Sequence, residues 1–299
     1  MLSVVINTFN EENNLPKAIA SVKDLADEVV VVDMQSADAT VKVAKELGAK
    51  VFSFESRDYV EPARNFAISK SNGDWVLVLD ADEQISLTLK KKIEILLDNP
   101  KADYYRLPRK NIVLRKWMKH SRWWPDYNIR LFRKGFVSWS EVIHAVPVTT
   151  GEGWDLEATE ENAIIHNHYN SFEQYIDRMN KYTTVQAKDL LTNGYKFSWP
   201  DVIKKPTGEF LSRFYFGEGY KDGMHGLALS GLQAFSEFLV YLKVWSGSDT
   251  LIRKQSFTLR EVAYVLSQAV KDLYYWQADA LVKKEGGFIN RIKRKFRLA

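Results

Sequence analysis

Trp75-Val76-Leu77-Val78-Leu79-Asp80-Ala81-Asp82-Glu83 decides how this chain is read. Five apolar residues in a row suit a strand buried on both faces, as in parallel sheets. Three carboxylates follow at its carboxyl end, where open parallel sheets bind their ligands. Asp80 and Asp82, two residues apart at a strand exit, can bind one hard cation directly and through water. Such a cation bridges diphosphate oxygens and neutralises a leaving group. Oxygen ligands suit Mg²⁺ or Mn²⁺.

The sequence before this stretch alternates strand and helix. Val4 to Asn7 is a short apolar run. Asn14 to Lys23 has helical spacing of Leu15, Ala18, Ile19 and Val22. Glu28 to Asp33 holds four consecutive valines. Thr40 to Leu47 reads as a helix stopped by Gly48, and Val51 to Phe54 as a third strand. Ala63 to Ser71 reads as a helix ended by Asn72-Gly73. After the deciding stretch, Ser86 can cap a helix carrying Leu89, Ile93, Leu96 and Leu97. This alternation predicts an α/β fold, a mainly parallel sheet with helices on both faces. Strand one then ends in Asn7-Thr8-Phe9-Asn10-Glu11-Glu12 and strand two in Asp33-Met34-Gln35-Ser36-Ala37-Asp38. With Asp80 to Glu83, three carboxylate-bearing loops converge on one rim.

From Asp103 to about Asn167 the pattern changes to strands and long loops rich in tryptophan and arginine. Ser171 to Leu191 reads as a helix with Phe172, Tyr175, Ile176, Met179 and Tyr182 on one face. Pro200 to Gly208 reads as a linker. Met224 to Trp245 is apolar but broken by Glu237 and Lys243, which suits an interfacial helix or a packed one better than a span. We therefore divide the chain into a catalytic domain, residues 1–205, and a helical C-terminal region, residues 206–299, with a membrane-associating role for the latter.

Composition narrows the classes. The 299 residues contain no cysteine, which excludes disulfides, thiolate metal sites and cysteine nucleophiles. A net charge of +4 supports no global polyanion binding. Five cations in Arg291-Ile292-Lys293-Arg294-Lys295-Phe296-Arg297 suit anionic lipid or nucleic acid, and equally a merely solvated terminus. The N-terminus shows no signal-peptide pattern and reads as a buried strand, in keeping with a cytoplasmic setting. No glycine-rich dinucleotide or phosphate loop and no Gly-x-Ser-x-Gly elbow occurs. Tryptophans and cations near 115–139 suit nucleic-acid stacking, but the sheet context favours sugar rings and lipid-linked phosphates, and no nucleic-acid partner is expected.

Single residues divide similarly. Asp33, after the valines, can accept from a base imide or ribose hydroxyl; Asp38 suits a helix cap. Arg57, Arg64 and Asn65 surround the start of a helix, where cations help hold phosphate. His166-Asn167-His168 resembles a metal pair, but strand alternation is expected to part the two rings. His144 is a candidate for metal, phosphate or acceptor, or a structural histidine.

Together these residues resemble family 2 glycosyltransferases of the GT-A fold. The likeness runs through Ser3 to Glu12, Val31-Val32-Asp33-x-x-Ser36-x-Asp38-x-Thr40, Ala63-Arg64-Asn65 and Trp75 to Glu83. Pro125-Asp126 before Arg130-Leu131-Phe132-Arg133, then His166 to Tyr182 and Gly219 to Gly223, look like the bacterial lipopolysaccharide-core β-glucosyltransferase branch. The resemblance implies an inverting, metal-dependent transfer from a nucleotide sugar, UDP-linked, to a glycan or lipid-linked saccharide of the cell envelope. Contact with the inner face of the cytoplasmic membrane would be peripheral. Thr8, Asn10, Glu12, Asp33, Arg64, Asp80 and Ala81 would then hold the nucleotide, and Asp80, Asp82 and His144 the metal. Members of that branch show Val-His-Glu where this chain has His144-Ala145, so the base falls to Asp126 or Glu141, and we favour Asp126. Two rival readings are a sugar nucleotidyltransferase, disfavoured because Asn7 to Asn14 lacks glycine and cations, and a catalytically silent carbohydrate-binding module.

Overall fold

The computed structural model describes residues 1–55, 61–139, 147–248 and 257–298. Its contacts divide the chain into two compact units, Met1–Ile112 with Trp124–His168, and Val113–Trp123 with Tyr169–Ala299.

In the first unit β1 (Leu2–Thr8), α1 (Leu15–Val22), β2 (Glu28–Asp33), α2 (Thr40–Glu46), β3 (Lys50–Ser53), α3 (Glu61–Lys70) and β4 (Trp75–Asp80) follow the predicted alternation. Next come β5 (Glu83–Gln84), α4 (Leu87–Asp98) and β6 (Tyr104–Val113). The short β7 (Lys116–Trp117) belongs to the other unit. Then follow β8 (Asp126–Arg133), β9 (Val137–Ser138), β10 (Val148–Thr149), β11 (Gly153–Asp155) and β12 (Ile164–Tyr169). The sheet order begins β3-β2-β1-β4, all parallel, and continues through β8 and β6, each antiparallel to its predecessor. The arginine-rich segment after Asp103 thus extends the parallel sheet with hairpin-type strands.

Side chains alternate across these strands. Val4, Ile6, Leu77 and Leu79 face one layer with Ala18, Ile19, Leu89 and Ile93 of α1 and α4. Val5, Val30, Val32, Val76 and Val78 face the other with Ala63, Ala67 and Ile68 of α3. The four-valine run is therefore apolar because both its faces are covered. Gly48 stops α2 at φ 81°, where a side chain would be strained. Ser86 caps α4 by accepting from Leu89 N at 3.1 Å.

Glu28 opens β2 almost wholly buried. Its carboxylate accepts from Ser3 Oγ at 2.5 Å, Lys50 Nζ at 2.6 Å, and Asn72 N and Nδ2 at 2.5 and 3.0 Å. One side chain thus ties β1, β3 and the turn before β4. Burial alone would raise its pKa, but these donors hold it at about 2.

The second unit is helical: α5 (Phe172–Thr192), α6 (Asp201–Leu211), a π-helical turn Ser212–Phe216, a 3₁₀ turn Gly219–Asp222, α7 (Met224–Ser246), α8 (Leu259–Glu285) and α9 (Phe288–Phe296). Three expectations change here. The supposed linker 200–208 lies mostly in α6, with Pro206 inside the helix; packing against α7, with Leu211 buried, outweighs the missing donor. The buried stripe of α5 is Tyr175, Met179, Thr183 and Ala187, a strict four-residue spacing, while Phe172, Ile176 and Tyr182 are exposed. The boundary drawn at 205/206 falls inside this unit, because α5 and α6 both pack on α7. Among the described residues α7 alone is long and apolar enough to cross a membrane; it is packed, burying Leu229, Val240, Tyr241 and Val244.

Glu28→Gln keeps the shape and removes the charge. We expect a loss of about 1–3 kcal/mol at neutral pH, mostly from the buried donors, since Lys50 is half exposed. A depressed pKa stabilises above the unfolded value, so the gap between variant and wild type should close as pH falls from about 4.5 to about 2. Denaturant unfolding across that range measures it; a gap independent of pH would remove the charge from the account.

Candidate active site

Strand register builds the rim. Asn7 of β1 lies beside Asp80 of β4, and Thr8 beside Asp33 of β2. Asp33 is buried; Thr8 Oγ1 donates to its Oδ1 at 3.3 Å and Ser36 N to its Oδ2 at 3.0 Å. The loops after β1 and β2 are stitched together. Asn10 Oδ1 accepts from Ala37 N and Glu12 Oε2 from Ala39 N, both at 2.8 Å. Asp38 accepts from Glu12 N at 3.2 Å and Thr40 N at 3.0 Å, but the cap position of α2 falls to Ala39, with no side-chain cap bond, so Asp38 stitches the loop rather than capping the helix. Thr8, Asn10 and Glu12 thus tie the end of β1 and its loop to the end of β2 and its loop. Ala81 is buried in the apolar layer and offers a ligand only its backbone.

Asp80 sits between two guanidiniums. Arg64 Nη2 donates to Oδ1 at 2.8 Å and Arg130 Nη2 to Oδ2 at 2.6 Å. Burial works against its charge, but Arg130 and Arg64 hold the carboxyl well below the usual range. Arg64 also lies 5.7 Å from the Trp139 ring. Asn65 fixes that tryptophan's backbone, donating to Trp139 O at 2.6 Å and accepting from Trp139 N at 2.9 Å.

Arg130 was read as part of a strand motif; its role was not. A bulge explains it. Tyr105 pairs with Leu131 and Arg106 with Ile129, which leaves Arg130 as the extra residue. Released from the alternation, its side chain turns inward at 2% exposure and reaches Asp80 and, at 2.6 Å, Glu83 Oε1. Glu83 is fully buried and accepts from Asp80 N at 3.0 Å and Arg109 Nη1 at 3.4 Å. Arg109 continues the chain, donating from Nε and Nη2 to Asp126 Oδ2 at 2.8 and 2.6 Å. Asn111 Nδ2 joins that oxygen at 2.9 Å, while Asp126 Oδ1 takes Asn128 Nδ2 at 3.2 Å. Asp126 stays well ionised: burial opposes its charge, and Arg109 and Asn111 more than offset it.

The two histidines correct an expectation. Residues two apart on a strand share a face, and His168 Nδ1 lies 3.0 Å from His166 Nε2. His166 is buried at the register position of Glu83, with Nε2 3.5 Å from Asp82 Oδ1. Its Nδ1 hydrogen follows from its neighbours. Asn111 gives its amide hydrogens to Asp126, so its Oδ1 must accept from His166 Nδ1 at 2.6 Å. Nε2, on the other side of the ring, faces His168 Nδ1 at 3.0 Å and Asp82 Oδ1 at 3.5 Å.

A carboxylate oxygen beside an imidazole nitrogen fits a divalent cation. Among the described residues no group of three or more such side chains is gathered, so further ligands would come from diphosphate and water, as hard cations at phosphate sites require. Asp80 has both oxygens on arginines and would have to share them. Arg57, Glu141, His144 and Ala145 lie outside the described residues. Beside Arg64 and Arg130 opens a cleft of about 480 Å³, walled by Tyr127 and Trp139.

Arg130→Leu leaves Asp80 and Glu83 with an uncompensated charge. The expected loss is about 3–5 kcal/mol. Asp80 contributes stability above its unfolded pKa of about 3.9 and loses it as pH falls through its lower folded value. In the variant the acid transition should therefore move up in pH; an unshifted acid midpoint would refute the assignment.

Comparison with known proteins agrees with this architecture. The model of Glycosyl transferase family 2 matches residues 3–147. An uncharacterized glycosyltransferase of Rickettsia typhi is 34% identical over 255 residues, 81% of this chain and 86% of that protein. One from Rickettsia felis is 30% identical over 271 residues, 88% and 94% of the two chains. Glucosyl-3-phosphoglycerate synthase of Mycobacterium tuberculosis, solved with Mn²⁺ and uridine-diphosphate-glucose, superposes over 36% of this chain and 42% of its own, at 24% identity and a TM-score of 0.32. On its curled, mostly parallel sheet and its relatives over most of their length, the chain belongs to glycosyl transferase family 2, with the GT-A fold.

Proposed function

We propose that this glycosyltransferase moves a hexose, with inversion, from a UDP-sugar to a glycan or lipid-linked saccharide in cell-envelope polysaccharide synthesis. One observation carries the reading: Asp33, Asp80 and Asp82 stand at the carboxyl ends of parallel strands, with Arg64 and Arg130 beside them. Asp33 would accept from the base or ribose. Arg64 and Arg130 would face the diphosphate as it gathers charge on leaving. Asp82 and His166 would hold Mg²⁺ or Mn²⁺, which supplies Lewis-acid neutralisation of the leaving group when bound. The earlier expectation of His144 as a ligand stands beside this pair as a proposal.

The attacking hydroxyl needs a base. Asp126 is ionised and partly exposed. Its Oδ2 already accepts three donors and its Oδ1 a single side-chain one, so the proton would go to Oδ1. The arginine clamp weakens this base; an acceptor hydroxyl held within reach of Oδ1 would gain instead from proximity. Glu141 is the other candidate. A cytoplasmic enzyme in peripheral contact with the inner face of the membrane would meet a lipid-linked acceptor there.

Calorimetry with Mn²⁺ against a panel of nucleotide sugars tests the donor reading, and no binding to any of them would end it. Asp126→Asn should lower turnover by roughly 10²–10⁴-fold with donor affinity nearly unchanged. Near-normal turnover would pass the role to Glu141. Asp82→Asn and His166→Gln should instead weaken metal-dependent donor binding, and equal binding with and without them would leave the metal elsewhere.

A further inference from the structure

α9 is an amphipathic helix turned inside out. Phe288, Ile292 and Phe296 recur every four residues with Ile289 beside them, and at about 3.6 residues per turn they form one apolar stripe. Asn290 and Arg294 fall on the opposite side. In a helix packed on its own protein the apolar stripe faces inward. Here the polar side does. Arg294 Nη1 donates to Asp279 Oδ1 of α8 at 2.9 Å, and Arg297 Nη1, just past the helix, to Asp272 Oδ1 at 2.7 Å. Gly286 and Gly287, at φ 70° and 87°, form the reversal that folds α9 back on α8. Most of the stripe is left in water: Phe288 is 77% exposed, Ile289 68% and Phe296 61%, with Ile292 half-buried.

Charge says what covers it. Arg291 and Lys295 border the stripe on one side and Lys293 on the other, and α9 contains no acidic residue. Cations on both flanks suit a surface that is negative all around.

We propose that α9 docks this enzyme on an anionic lipid bilayer, with Phe288, Ile289, Ile292 and Phe296 among the acyl chains and Arg291, Lys293 and Lys295 at the headgroup phosphates. This rests on the peripheral membrane contact proposed above and names its element and its lipid chemistry. The ion pairs to Asp272 and Asp279 hold the helix with its stripe outward, so no unfolding precedes docking.

The full chain is sedimented with vesicles of phosphatidylcholine alone, and with about one-third phosphatidylglycerol added. The protein should pellet only with the anionic vesicles, and less as salt rises. Phe288→Ser with Phe296→Ser, at exposed positions, should weaken binding by roughly tenfold or more. Arg291→Glu with Lys295→Glu should do the same without removing an apolar group. Thermal melting checks that each variant folds, and calorimetric donor binding follows the other unit independently. Wild-type protein that stays in the supernatant, or double variants that bind as wild type does, would overturn the proposal. Vesicle binding lost with donor binding intact supports it. Wild-type protein that binds vesicles but no nucleotide sugar would sink the transfer reading and leave this one standing.

Discussion

The Arg130 guanidinium, buried between Asp80 and Glu83, is the contact on which the site depends. Two carboxylates this close in a low-dielectric setting repel each other strongly, and each is costly to desolvate. One cation between them removes both problems. It also fixes where β4 ends, because Glu83 reaches back to accept from Asp80 N. Arg64 and Arg109 extend the alternation at either end, to Asp80 and to Asp126. The result is a ladder of alternating charges crossing from α3 through β4 and β5 to β6 and β8. Such a ladder is weak evidence for net stability. Its value lies in position: every inner member is held by two charged neighbours, so the rim is shaped before any ligand arrives.

Most of the first unit was legible because its signals are local. Four valines before Asp33, and five apolar residues before Asp80, announce strands covered on both sides, and Gly48 and Ser86 mark their helices' ends. What was not legible depends on pairing. Arg130 looks like any alternating strand residue until the bulge opposite Arg106 is seen. His166 meets Asp82 only because β12 pairs with the two-residue β5. Pro206 looks like a breaker until α7 packs against the helix that contains it. Contact across long sequence separations decides each case, and no window of sequence contains it.

The Asp-x-Asp pair shows how environment divides one motif into two roles. Asp80 faces guanidiniums that keep it ionised; Asp82 faces an imidazole whose other nitrogen is held by Asn111, which in turn donates to Asp126. This contact has a further consequence. Because Asn111 can satisfy Asp126 only with its amide hydrogens, its Oδ1 is left for His166 Nδ1, and the two residues are held across one side chain. The proposed base and the proposed metal ligand are therefore built as a single polar unit.

Charge balance then bears on what this unit can accept. Asp80, Glu83 and Asp126 are matched by Arg64, Arg109 and Arg130, so the ladder is near neutral without any added ion. Asp82 stands outside that balance. On the proposed reading a divalent cation entering beside Asp82 would find one negative charge from the protein, and its remaining charge would be left for the diphosphate. The ladder would neither repel the cation nor satisfy it. That is the condition in which a metal binds best together with its nucleotide, and weakly alone.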